Sequence, residues 1–289
     1  VAVPEVSLAG MCVFVTGGSM GLGLAAAESS LRAGARVGIC ARTLPDLEAA
    51  VASLKDQGFS DVLGVECDVT DRAQLESALD NVEARFGPLG GLIHAAGIYG
   101  PIGSVLDVDP EGWMAAMRVN LFGSFLVVAV GGARLARNGG GRMALFAGGG
   151  AAAPFPNYTA YACSKVGVVR LTETAAIELA PLNVELNCIA PGFVVTRLHQ
   201  QTLDAGLRAG AAFLETTRAH IQQGGVPASV GAGAATFLIS PAAQGITGRF
   251  VAAPYDGLDE WPVHLEELEG SDLFTLRRIV PRDRGMDWQ

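Results

Sequence analysis

The sequence predicts an α/β fold: a doubly wound parallel sheet with helices on both faces, in a single domain. Two observations predict it. Short, almost wholly apolar runs alternate with amphipathic helical patterns along the whole chain, as βαβ units require when both faces of a sheet are covered. Half of the 289 residues are apolar and only 17% are charged, so a large core can be buried with little left for disorder.

Taken in order, the strand-like run MCVFVTG at 11–17 leads into the helical pattern LGLAAAESSLRAG at 22–34. ARVGICAR at 35–42 is followed by LPDLEAAVASLKDQG at 44–58, and VLGVECDVTD at 62–71 by RAQLESALDNVEARFG at 72–87. GGLIHAAG at 90–97 precedes one long helical pattern over 109–137, and GRMALFAG at 141–148 precedes another over 158–182. NVELNCIAPG at 183–192, a helix at 228–240 and GRFVAA at 248–253 complete the series. Right-handed crossovers leave the doubly wound arrangement as the simplest topology. No linker or composition shift divides residues 1–253, which are expected to form one unit. Two segments break the rhythm. Residues 197–226 form a polar, amphipathic insertion, and the tail 254–289 carries Trp261, Phe274 and Trp288, aromatic enough to pack on the body or on a neighbouring subunit.

A net charge of −9 excludes non-specific nucleic-acid binding, which needs a basic face. No apolar run reaches the roughly 18 residues of a membrane helix, and the stretch at 121–136 is too short, so no membrane association is expected. No secretory pattern precedes the first strand. Five cysteines stand singly, without a CxxC motif; Cys12, Cys40, Cys67 and Cys188 lie in or beside strand runs and read as reduced core residues. A cytoplasmic location is the expectation that follows. His94, His199, His220 and His264 lie far apart, with no ligand partner at metal-binding spacing, and no metal site is expected.

Three clusters carry chemistry. TGGSMGLG, from Thr16 to Gly23, ends the first strand and opens a helix. A glycine turn there lets the backbone approach a pyrophosphate, whose charge the helix N–H groups favour. At the tip of the second strand, where an acid would hold the ribose hydroxyls of NAD, the chain has Ala41 and then Arg42. A guanidinium can pair with a 2′-phosphate, so NADP(H) is expected in preference to NAD(H), which stays possible. Asp68, ending the third strand, can accept from the adenine amino group or cap the following helix. Finally, YACSK sets Tyr161 and Lys165 four apart on one helix face. An ammonium beside a phenol favours the phenolate, which makes tyrosine a usable acid–base.

In this order and spacing, TGGSMGLG, CDVTD, HAAG, Asn120 in VNLFGS, YACSK and NCIAPGFVVT resemble the short-chain dehydrogenase/reductase family over about residues 8–253. The resemblance implies a Rossmann-type fold, a nicotinamide cofactor, a small-molecule carbonyl or alcohol substrate, and a homotetramer or homodimer. It makes Tyr161 the proton donor to a carbonyl. Lys165 would hold the nicotinamide ribose and tune Tyr161, and Asn120 would anchor a water in the proton relay. It assigns cofactor binding to Gly17, Ser19, Met20, Gly21, Leu22 and Gly23 of the turn, to Arg42, Asp68, Val69, Ala95, Ala96 and Gly97, and to Tyr161 and Lys165. Pro191, Gly192, Val194 and Thr196 would cover the nicotinamide, with Thr196 near its carboxamide. Gly148, Gly149, Tyr158 and Phe193 would line the substrate.

The chain departs from the family pattern in three places. HAAG replaces NNAG, so His94 and Ala95 stand for two amides; a scaffold role for His94 is expected over a catalytic one, and Ala95 should loosen the local network. AAPYDG replaces the acidic motif after the last strand and continues into the long tail. The third departure is Gly148 in FAGGG, thirteen positions before Tyr161, where the family has a serine that polarises the carbonyl. Losing one such donor commonly costs about 2.7–4 kcal/mol of transition-state stabilisation. Three readings remain open: a carbonyl reductase whose second donor is a glycine N–H, Tyr158 or Thr159; a redox epimerase of a carbinol centre; or a nucleotide-binding regulatory protein without catalysis. The substrate walls are expected from residues 149–156, Tyr99, Ile102 and the insertion, whose Leu198, Leu203, Leu207 and Phe213 would close an apolar lid face. Arg197 and His199 would meet polar substrate groups or lie on a solvated lid surface.

Overall fold

The computed structural model describes residues 4–288. The apolar runs become strands β1 (Cys12–Thr16), β2 (Arg36–Ala41), β3 (Val62–Glu66), β4 (Leu89–His94), β5 (Gly141–Phe146), β6 (Val184–Ala190) and β7 (Phe250–Ala252). The helices are α1 (Gly21–Arg32), α2 (Leu44–Asp56), α3 (Arg72–Phe86), α4 (Pro110–Met117), α5 (Gly123–Arg137), α6 (Thr159–Leu179), α7 (Arg197–Ala205), α8 (Ala211–Gln223), α9 (Ala228–Leu238) and α10 (Leu265–Glu269). All strand pairs are parallel, in the order β3-β2-β1-β4-β5-β6-β7. The order reverses direction between β1 and β4, which opens a crevice at the carboxyl ends of those strands.

Side-chain alternation divides the core between the two faces. Val13, Val15, Val37, Ile39, Ala144 and Phe146 pack with residues of α1, α2 and α9. Their neighbours Cys12, Phe14, Cys40, Met143 and Leu145 pack with α3, α5 and α6. Cys12, Cys40, Cys67 and Cys188 are buried free thiols, whereas Cys163 is exposed.

The pattern over 109–137 is one continuous helix with a defect. Arg118–Phe122 forms a π turn between α4 and α5, and Asn120 is buried within it. Such turns displace one residue out of helical register and occur at functional sites. Through this continuity the helix Pro110–Arg137 is long and apolar enough, by length and composition, to cross a membrane, which corrects the sequence expectation. Half of its most apolar window is buried inside the protein, where Leu126, Val127, Val130 and Leu135 pack in the α3–α5–α6 layer, so it serves as a core helix.

The tail folds back on the body as far as Leu276, whereas Trp288, expected to pack, is 67% exposed; residues 1–3 and 289, which the expected unit and tail boundaries include, lie outside the described residues. The buried Arg249 donates to the carbonyls of Leu268, Ser271 and Leu273. Phe250 N–H donates to the Phe274 carbonyl at the exposed side of β7, and Trp261 packs on Phe274 with ring centres 4.3 Å apart. Leu276 is held to α6 by Arg170 and Glu173.

Candidate active site

The crevice is built from strand ends and glycines. Gly17 sits at φ +65°, and a Cβ there would come within 2.7 Å of Ala96 N. A Cβ on Gly23 would run into the Gly17 carbonyl, so the turn and helix α1 close on each other only without side chains. Gly21 is left-handed at φ +56°. Met20 caps α1 without a side-chain hydrogen bond, and the first turn holds no acid. The leading N–H groups of α1 are thus available to an anion. This cradle fits a dinucleotide pyrophosphate.

At the next strand tips, the exposed Arg42 has Nη1 3.9 Å from Asp68 Oδ2. Asp68 Oδ1 accepts from Thr70 N–H at 2.8 Å and from the Thr70 hydroxyl at 2.9 Å. Asp68 is therefore not the cap of α3; Asp71 is, accepting from Gln74 N–H at 3.1 Å. Val69 is buried beside Gly123 at the start of α5.

His94 is buried, with Nδ1 2.6 Å from the Thr16 hydroxyl. Burial, then the nearby Lys165 charge, pushes its pKa down to about 3, so it stays neutral and is a scaffold residue between β1 and β4. Ala95 supplies no side-chain hydrogen bond, and its N–H bonds the Thr16 carbonyl at 3.1 Å, which continues the strand pairing. Beyond Gly97 the backbone is fixed by Asn120. Its Oδ1 accepts from Ile98 N–H at 2.8 Å, and its Nδ2 donates to the Ile98 carbonyl at 2.8 Å and to Ser164 Oγ at 2.9 Å. Both amide hydrogens are thereby committed to protein, and the side chain's first task is to hold the β4 exit against α6. Ser164 in turn donates to the Tyr161 carbonyl at 2.7 Å. It lies inside YACSK, but nothing in the sequence distinguished it from a filler position.

Tyr161 and Lys165 lie one turn apart on α6, opposite the end of β5. Lys165 is buried and donates from Nζ to the Phe146 carbonyl at 2.8 Å. Burial lowers its pKa to about 8 and raises that of Tyr161 to about 12. The Tyr161 hydroxyl lies against Gly148: a Cβ at that position would be 2.6 Å from it. The space a serine would use is therefore taken by the phenol itself. Gly149 faces open space, and it begins a single 3₁₀ turn, Gly149–Ala151, whose first N–H groups have no partner within the turn.

The structure redirects one of the expected donors and leaves another its hydroxyl hydrogen. Tyr158 is fully buried and its hydroxyl donates to Thr202 Oγ1 at 2.8 Å, so it fastens the insertion instead of lining a substrate. Thr159 Oγ1 accepts from Trp113 Nε1 at 3.3 Å. The N–H groups of Gly149 and Gly150 have no partner within their turn.

Helices α7 and α8 form the insertion. Tyr99, Tyr158 and Ala209 pack with Ile102, Phe155, Tyr161, Leu198, Ala205 and Phe213. Leu207 is 79% exposed and does not join this face, because the 3₁₀ turn between α7 and α8 turns it outward. His199 is buried, not solvated; it bonds Thr196 and packs on Phe193 with ring centres 4.0 Å apart. Burial, then the neighbouring His220, lowers its pKa to about 4. Tyr99 stands edge-on both to Tyr161, at 4.9 Å, and to His199, at 6.1 Å. The Phe193 ring thus packs on His199, whose ring meets Tyr99, which in turn stands on Tyr161. The backbone beneath the insertion needs Gly192 at φ +79°, where a Cβ would strike Pro254. Pro191 and Val194 are buried beside it. A cavity of about 450 Å³ lies between the β4 exit and α7, lined by Ile98, Gly100, Ile102, Gln201, Asp204, Ala205 and Arg208.

The two glycines should respond differently to the same change. Gly148→Ala must displace Tyr161, an overpacking cost of about 1–3 kcal/mol, whereas Gly149→Ala should change stability by no more than about 0.5 kcal/mol. Urea unfolding midpoints measure this, and equal losses for the two variants would contradict the packing described.

Residues 11–206 match the short chain dehydrogenase family model. Human dehydrogenase/reductase SDR family member 4 is 31% identical over 244 residues, covering 84% of this chain and 86% of that protein. 2-(S)-hydroxypropyl-CoM dehydrogenase 3 from Xanthobacter autotrophicus is 32% identical over 245 residues, 83% of this chain and 93% of its own length. Among solved structures, levodione reductase superposes with a TM-score of 0.78 at 27% identity, over 88% of this chain and 98% of that one. A variant of actinorhodin polyketide ketoreductase with NADPH gives 0.73 at 28% identity, over 84% and 94%. With the parallel sheet, the glycine cradle and the Tyr161–Lys165 pair, these matches show that the chain belongs to the short-chain dehydrogenase/reductase family, oxidoreductases acting on CH–OH groups with NAD(P).

Proposed function

We propose that this oxidoreductase is an NADP(H)-dependent ketoreductase in which Tyr161 protonates the carbonyl oxygen. The observation that carries the reading is the Tyr161 hydroxyl seated on Gly148 with Lys165 one turn away at the end of β5. When bound, the nicotinamide would supply or accept the hydride. The residues of the chain do the rest. The turn from Gly17 to Gly23 receives the phosphates, and Arg42 beside Asp68, with Ala41 where an acid would stand, favours a 2′-phosphate. Lys165 keeps one N–H on the Phe146 carbonyl, uses another to hold the ribose and supports the charge on Tyr161. Asn120 keeps the β4 exit and α6 in register; its main-chain carbonyl accepts from the Ser124 hydroxyl, which leaves one Oδ1 lone pair to steady a water. An N–H at Gly149 takes over the polarising role of the absent serine.

Residues 1–253 would form the catalytic unit, 197–226 its lid and 254–289 a stabilising tail. The aromatic wall of Tyr99, Phe155 and Phe213 suits a substrate with an apolar body, and relatives named as reductases of levodione and of a polyketide support a ketone. Assembly as a homodimer or homotetramer and a cytoplasmic location are part of the same proposal, the second resting on the buried free thiols.

Fluorescence titration should show tighter binding of NADPH than NADH; the reverse order would remove the role of Arg42. With a ketone that oxidises NADPH, Tyr161→Phe should lower kcat at least about 100-fold, and a smaller loss would assign the proton to another group. The pH dependence has a definite sign. Reduction needs Tyr161 protonated and Lys165 as the ammonium, and a lowered lysine pKa means that the ammonium is lost as pH rises through about 8. Reductive kcat/KM should be level below that value and fall above it. A rise through the same range would contradict the assignment.

A further inference from the structure

Arg197 is the first residue of α7 and the first of the lid. Its Nη1 reaches across the crevice to within 3.6 Å of Met20 Sδ, in the glycine turn on the other side. The adjoining pair is also close: a Cβ on Gly21 would stand 3.7 Å from Thr196 Cγ2. The lid thus meets the turn at the place where the first N–H groups of α1 are free and no acid occupies either helix's first turn. Among the described residues Arg197 makes no ion pair. A thioether is a weak acceptor for a guanidinium, whereas a phosphate oxygen gives a charge-assisted and often bidentate bond.

The base of the lid is fixed independently of this contact. Val226 N–H donates to the Phe193 carbonyl at 2.8 Å, joining the two ends of the insertion. Gly225 packs so closely on that carbonyl that a Cβ would be 2.6 Å away. The insertion is therefore a unit hinged at 192–193 and 225–226, with Arg197 as its charged reach to the opposite wall.

We propose that Arg197 is a phosphate latch: it exchanges the Met20 sulfur for the pyrophosphate of the bound dinucleotide and so ties α7 to the glycine turn. The lid's hold on the turn then depends on the cofactor being in place. The proposal rests on the reading of the crevice as an NADP(H) site, and its test separates the two. NADPH and adenosine 2′-monophosphate, which carries the 2′-phosphate but no pyrophosphate, are titrated against the full chain, Arg197→Gln and Arg197→Lys. In parallel, chymotrypsin cleavage of the lid is followed with and without NADPH.

Arg197→Gln should weaken NADPH binding about ten- to a hundred-fold, leave adenosine 2′-monophosphate unchanged, and abolish the protection of the lid that NADPH gives the parent protein. Arg197→Lys should recover part of both effects. Unchanged NADPH affinity in Arg197→Gln, with the parent protein binding NADPH normally, overturns the latch while leaving the cofactor reading in place. An equal loss for both ligands also overturns it, since that marks a general charge effect. A parent protein that binds neither NADPH nor adenosine 2′-monophosphate removes the cofactor reading, and the latch with it.

Discussion

The bond from Lys165 Nζ to the Phe146 carbonyl ties α6 to the carboxyl end of β5, and the candidate site is arranged around it. A buried ammonium resting on one neutral carbonyl is incompletely compensated, which is why burial lowers its pKa to about 8. The same tie brings the Tyr161 ring, one turn back on α6, against the backbone of the strand end. Contact that close is possible only because residue 148 has no side chain. Asn120 completes the frame from the other side, through Ile98 and Ser164. The π turn that contains it sets that amide apart from the regular helix face.

The lid is fastened by different physics. It has a hydrophobic and aromatic seal in which Tyr99 touches Tyr161, Tyr158 and His199, and one buried hydroxyl pair, Tyr158 with Thr202. These contacts are local to the insertion and the loops beneath it, whereas the sheet is covered by two continuous apolar layers. A segment held by a few aromatic contacts can open at far lower cost than the core. This division between a rigid catalytic frame and a separable cover suits an enzyme whose substrate enters and leaves with each turnover.

The strands were legible because buried parallel strands are short and apolar, and the turn was legible because only glycine permits its left-handed, side-chain-free geometry. The helix over 109–137 was legible as a helix but not as one with a π turn, since the defect is a matter of hydrogen-bond register that apolar spacing does not encode. Asp68 and Asp71 are three apart and chemically equal in the sequence; only the fold shows that Asp71 takes the cap. Tyr158 and Leu207 were misplaced for a common reason. Both face decisions made by lid packing, where Thr202 captures one side chain and the 3₁₀ turn sends the other outward. Gly148 marked an absent hydroxyl in the sequence, but its positive role, room for the phenol of Tyr161, required the structure.

The most direct test of the account is the fate of the transferred hydrogen. NADPH carrying deuterium at the transferable position of the nicotinamide ring is incubated with the protein and a ketone it reduces, and the alcohol is analysed by mass spectrometry. The account predicts one deuterium bound to the carbinol carbon, with the hydroxyl proton drawn from solvent through Tyr161. An alcohol without deuterium, or binding of NADPH with no alcohol formed from any ketone, would contradict it.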